Sequence, residues 1–125
     1  MKKDDNLIGK LFMDVIFGSR KLEKKLNSET EILKEYGKIC GKKLKMLLYS
    51  LRAAPTLQTF HPPYSKPYRC HELKGNRSGE LSMDVEQPYR LLFEVNHNPL
   101  PTLGAGGLDW SKVTSIRILS ITDTH

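Results

Sequence analysis

Glu80-Leu81-Ser82-Met83-Asp84-Val85, followed by Tyr89-Arg90-Leu91-Leu92-Phe93-Glu94-Val95, is the stretch on which the fold turns. Leu81, Met83 and Val85 alternate with Glu80, Ser82 and Asp84. Tyr89, Leu91, Phe93 and Val95 alternate with Arg90, Leu92 and Glu94. A period of two sends one set to a core face and the other to the opposite face, so both segments read as strands with one buried side. Arg90 has the parity opposite to Tyr89 and Leu91 and is expected on the face that helices leave uncovered. There it serves either as a solvated charge or as part of an anion site.

Reading outward, Tyr68–Leu73 is expected to be a further strand, joined to Glu80 by the polar, glycine-containing turn Lys74-Gly75-Asn76-Arg77-Ser78-Gly79. Downstream, 96–111 is a long loop holding Trp110, expected either to pack as a hairpin excursion or to meet a partner, and 113–122 supplies a last strand. Upstream, four prolines (Pro55, Pro62, Pro63, Pro67) predict a rigid extended connection over 55–68. Before it, Ser28-Glu29-Thr30-Glu31 is a capping box in which Ser28 and Glu31 satisfy each other's free N–H groups. Ile32, Leu33, Tyr36, Ile39, Cys40, Leu44, Leu47, Leu48 and Leu51 then recur at helical spacing until Pro55, which predicts one helix about 36 Å long. Gly37 and Gly41 sit one turn apart on it, and close backbone packing is expected at both. Ser19 caps a shorter helix over 20–26, Phe12–Phe17 is a first strand, and residues 1–11 read as a loose extension. The order predicts an α+β fold over 1–125 as a single domain: an N-terminal strand and two helices packed on one face of a mostly antiparallel sheet.

The 125 residues are 38% hydrophobic and 27% charged, enough for one modest core and against global disorder. No apolar run reaches the roughly 20 residues of a membrane span, and no secretory signal is read at the start. Cys40 and Cys70 are too few for a disulfide scaffold and suit a reduced cytoplasm, the expected location. Net charge is +6, and its placement is uneven: residues 1–52 hold 13 Lys and Arg against 7 Asp and Glu, whereas residues 53–125 hold 7 against 7. Within that neutral half Lys66, Arg69, Lys74 and Arg77 cluster around a histidine, opposed only by Glu72. A polyanionic partner fits this distribution.

No zinc-ligand spacing, phosphate-binding glycine loop, dinucleotide fingerprint or nucleophile elbow occurs, so no metal or cofactor is expected. Cys40 and Cys70 read as packing residues, and His61 and His97 as ordinary surface residues in proline-flanked loops. His71, Lys74, Arg77, Arg90 and His125 remain. Histidine exchanges protons near neutral pH, and lysine and arginine bind phosphate and its developing charge. Those residue types suffice for cleaving RNA without a metal: a base removes the proton of a 2′-hydroxyl, that oxygen attacks the adjacent phosphorus, and an acid protonates the departing 5′-oxygen. DNA has no such hydroxyl.

The segments 71–79 (His-Glu-Leu-Lys-Gly-Asn-Arg-Ser-Gly), 81–85 (Leu-Ser-Met-Asp-Val), 89–93 (Tyr-Arg-Leu-Leu-Phe) and 121–125 (Ile-Thr-Asp-Thr-His), in this order, resemble the HigB branch of the RelE toxin superfamily. The resemblance spans about residues 68–125, and the strand and helix pair before it fit the family's order. It implies the toxin of a type II toxin–antitoxin pair, a ribosome-dependent mRNA endonuclease. Its partners would be a cognate antitoxin, the 70S ribosome and mRNA, and the free toxin is expected to be a monomer, with no exposed apolar surface calling for a twin. By this likeness His71, Lys74, Arg90 and His125 are catalytic and Arg77 contacts RNA or ribosome; the charge cluster extends that expected contact to Lys66 and Arg69. Which histidine is base and which acid stays open. Thr124 stands where the family often has tyrosine. Two other readings keep the fold without the chemistry: a gyrase-binding toxin, and an RNA-binding module or decayed toxin that binds only its antitoxin.

Overall fold

A computed structural model describes residues 12–123; the expectations for residues 1–11, Thr124 and His125 fall outside them. The elements are β1 (Asp14–Phe17), α1 (Arg20–Leu26), α2 (Glu29–Ala53), β2 (His71–Glu72), β3 (Glu80–Asp84), β4 (Tyr89–Val95) and β5 (Ser115–Asp123). Short 3-10 turns occupy Leu57–Phe60 and Trp110–Lys112. Two helices pack against a five-stranded mixed sheet of order β1-β5-β4-β3-β2, in which β1 runs parallel to β5 and the other pairings are antiparallel.

Both expected N-caps form. Ser19 Oγ accepts from the Leu22 N–H at 3.1 Å, and Ser28 Oγ accepts from the Glu31 N–H at 3.2 Å. Only half of the capping box closes, because α1 ends immediately before it and the Ser28 N–H donates to the Lys25 carbonyl at 3.2 Å.

The long helix is not straight. Gly37 has φ 84° and ψ 175°, outside helical space, and breaks α2 there. Glu29 and Lys45 form an ion pair, although sixteen residues of straight helix would hold them about 24 Å apart. Ile32 likewise meets Gly41. The two arms of α2 therefore fold back on each other about Gly37. A Cβ at Gly37 would meet nothing within 4 Å, so the expected close packing is absent there and the residue supplies a turn instead. At Gly41 the expectation holds, since a Cβ would lie 3.0 Å from Ile32 Cγ2.

Leu44, Leu47 and Leu51 on the second arm are fully buried, as are Leu81, Met83, Leu91, Phe93, Ile116 and Ile118 of the sheet. Each such side chain contributes roughly 1.5–3 kcal/mol by leaving water. A register shift at Leu92/Phe93 pairs Leu92 with Ser120 but Phe93 with Ile118, leaving Leu119 as the extra residue of a bulge. The bulge reconciles an odd spacing. Ile118 and Ile121 are three apart, yet Ile121 packs against the core with Ile118, which sends Ser120 and Thr122 to the other face.

Three further expectations change. The strand expected over 68–73 shrinks to His71–Glu72, because Arg69 takes φ 48°. The 55–68 connection is compact rather than extended, with Leu57 and Phe60 in the core. Trp110 is buried, so that residue of the 96–111 loop packs into the core, and the loop is pinched by a Thr102–Leu108 bridge. Apolar surface is also exposed: Ile39 and Tyr49 on α2 are 67% and 75% accessible, with Leu33 and Met46 beside them. Among the described residues, no helix is long and apolar enough to cross a membrane.

Candidate active site

The sheet face opposite the helices carries the polar residues, and its rows follow from strand register. Ser82 lies between His71 of β2 and Leu92 of β4, and Leu92 is opposite Ser120 of β5. One row further along, Asp84 is opposite Arg90, and Arg90 opposite Thr122. Arg69, two residues before His71, reaches this second row by an ion pair to Asp84 at 3.5 Å. One row thus reads His71, Ser82, Leu92, Ser120, and its neighbour Arg69, Asp84, Arg90, Thr122. His71 and Arg90 are two strands apart, roughly 10 Å across the sheet.

His71 is tightly oriented. Its Nδ1 is 2.7 Å from the Arg69 carbonyl oxygen. A carbonyl only accepts, so Nδ1 carries the proton and the neutral ring keeps its lone pair on Nε2. The Tyr64 ring stacks on the imidazole with centroids 4.2 Å apart and planes at 12°, and the Arg69 guanidinium lies 5.4 Å from the Tyr64 centroid.

Arg90 sits where its parity placed it. Its Nε is 3.7 Å from Asp84 Oδ1, so two arginines share one carboxylate and the row keeps a single excess positive charge. Asp84 Oδ1 and Ser82 Oγ are both buried without a hydrogen-bond partner among the described residues. Ser120 and Thr122 exchange a hydroxyl hydrogen bond at 2.7 Å. The chemistry of such an array suits an anion on its guanidinium row and a proton acceptor at Nε2 in the next.

The remaining site residues lie to the sides. Lys74 is exposed in the turn past β2, beyond His71 as seen from Arg90. Arg77, in the same turn, donates to Glu80 Oε1 at 3.0 Å. Lys66 is exposed in the loop before β2. The face thus unites His71, Arg69 and Arg90, with Lys74 and Arg77 in the turn at its margin; Lys66 is not brought to it but lines a groove with Ser50 of α2 and Thr59, and His125 lies outside the described residues. The sequence reading missed Tyr64, Asp84 and Ser120. Asp84 and Ser82 were legible through their parity, but Ser120 needed the bulge and Tyr64 a loop conformation that carries no periodic signal.

Cys70, next to His71, has its thiol pushed up to about 12 by burial, with the Glu72 charge adding to it. That is a packing thiol, not a nucleophile. Burial also raises the Cys40 thiol. His97 Nε2 accepts from the Thr114 N–H at 3.0 Å, and His61 stands edge-on to Trp110; neither touches this face.

No family model, curated protein or solved structure matches the chain significantly.

Proposed function

We propose that this protein is the toxin of a type II toxin–antitoxin pair of the HigB kind, a ribosome-dependent endonuclease that cuts mRNA through attack by its own 2′-hydroxyl. One observation carries the reading: a proton acceptor, His71 Nε2, and a guanidinium row, Arg69 and Arg90, share the one sheet face that the helices leave open. The element order, a strand, a helix pair and then antiparallel strands, is compatible with the RelE-like layout and supports the same conclusion.

In this reading His71 Nε2 takes the 2′-hydroxyl proton, and the 2′-oxygen attacks phosphorus. Arg90 and Arg69 stabilise the charge that builds on the phosphoryl oxygens. His125 returns a proton to the departing 5′-oxygen, leaving a 2′,3′-cyclic phosphate. The work asked of the side chains is proton transfer and charge stabilisation. Lys74 adds a phosphate-binding charge at the edge of the site, Lys66 and Arg77 bind RNA or ribosome, and this electrostatic contact weakens as salt rises. The cognate antitoxin is the expected protein partner. The exposed Ile39–Tyr49 strip of α2 gives a second, binding-only reading some weight, because a toxin acting by capture of gyrase also needs an apolar contact surface.

Primer extension on a defined mRNA, translated in vitro with purified protein, separates the two. Cuts on translated message and none on naked message support the nuclease. Intact message in both arms overturns it and leaves the binding reading.

A further inference from the structure

Two residues of the loop before β2 hold strained backbone, and both touch His71. Tyr64 has φ 68° and Arg69 φ 48°, in the left-handed region that costs a residue with a Cβ roughly 1–2 kcal/mol. Tyr64 touches the imidazole through its ring and Arg69 through its carbonyl. The loop is closed around them: the Tyr64 N–H donates to the Cys70 carbonyl at 2.9 Å, the Arg69 N–H to the Ser65 carbonyl at 2.8 Å, and Ser65 Oγ to the Pro62 carbonyl at 2.6 Å.

Burial of Tyr64 does not account for this. The residue is 48% exposed, and its ring spends its contact area on His71 and Arg69 rather than on the core. Strain held at two positions, each aimed at the same side chain, is the pattern expected of a site whose geometry the loop imposes.

We propose that Tyr64 is a positioning residue for His71. Stacking fixes the imidazole plane, and in that plane Nδ1 donates to the Arg69 carbonyl, which leaves Nε2 as the acceptor. An imidazole free in water favours the opposite tautomer, with the proton on Nε2. The loop therefore selects the form a base requires, and Arg69, lying over the same tyrosine, ties the selection to the phosphate-binding row. The consequence for cleavage rests on the proposed nuclease function; the orientation itself does not.

The test is the tautomer. In full-length protein with ¹⁵N-labelled histidine, at a pH where the imidazole is neutral, the ring nitrogen shifts of His71 should report Nδ1 protonated and Nε2 bare. Tyr64→Ala should move the ring to a mixture dominated by protonated Nε2, and Tyr64→Phe, which keeps the stack, should retain the wild-type tautomer. Unchanged backbone amide spectra verify that both variants fold. A wild-type tautomer in Tyr64→Ala, or its loss in Tyr64→Phe, would overturn the proposal. In the cleavage assay Tyr64→Ala should lower kcat about tenfold with KM little changed, a tenfold loss being about 1.4 kcal/mol. A wild-type protein that keeps this tautomer but cuts no RNA would refute the function and leave the positioning role standing.

Discussion

The Asp84 carboxylate lies 3.7 Å from Arg90 Nε, directly across the β3–β4 register. The same side chain reaches Arg69 at 3.5 Å. Both arginines are partly exposed, and such pairs contribute less than about 1 kcal/mol to folding. The consequence of Asp84 is therefore electrostatic: a phosphate arriving at the guanidinium row competes with a carboxylate already there. Asp84→Asn should tighten binding of single-stranded RNA by about fivefold at low salt, measured by fluorescence anisotropy across a salt series. Unchanged or weaker binding would mean that Arg69 and Arg90 do not hold the phosphate.

Arg90→Ala should separate chemistry from folding. Charge stabilisation of this kind is worth on the order of 100-fold in rate, whereas loss of a half-exposed strand side chain moves stability by about 0.5 kcal/mol. Mapped cuts on translated mRNA should fade by that factor while the urea midpoint stays close to wild type. A collapse of the midpoint would make Arg90 a structural residue.

The strands β3 and β4 were legible because a period of two leaves a strong imprint, and the same parity placed Arg90 on the open face. The helix caps were legible from Ser19 and Ser28. Gly37 misled, because a glycine inside an apolar helical pattern reads equally as a packing site or as a break. Only the pairing of Ile32 with Gly41 and of Glu29 with Lys45 shows which. The site was half legible. His71 and Arg90 stood out by residue type and position, and parity put Asp84 on the same face, while Ser120 was hidden by the bulge at Leu119 and Tyr64 by left-handed backbone in a proline-rich loop.

Gly37 and Gly104 give a matched test of that turn. A methyl group has open space at either position, but only Gly37 has positive φ. Gly37→Ala should cost about 1–2 kcal/mol through backbone strain alone. Gly104→Ala should be near neutral, both read by chemical denaturation. Equal effects would contradict the fold-back of α2.

Alkaline pH should destabilise the fold. Cys70 is raised from its ordinary 9.0 to about 12, chiefly by burial, and Tyr36 from 10.0 to about 12, chiefly by burial with the Glu35 charge adding. A raised folded-state value means that the native protein holds its proton where the unfolded chain has released it. The contribution is full below pH 9 and is lost as pH rises from about 9 toward 12. Denaturation midpoints measured from pH 8 to 11 should fall, and Cys70→Ala should flatten the fall. A rising midpoint would reverse the assignment.

In the proposed function the open face of the sheet cuts RNA by activating a 2′-hydroxyl. The most direct measurement is primer extension on translated mRNA carrying a single 2′-deoxynucleotide on the 5′ side of a mapped cut, beside the all-ribose message. Wild-type protein should cleave the all-ribose message and leave the deoxy position intact, and His71→Ala should cut neither. A cut that persists at the deoxy position would contradict that function, as would full activity in His71→Ala.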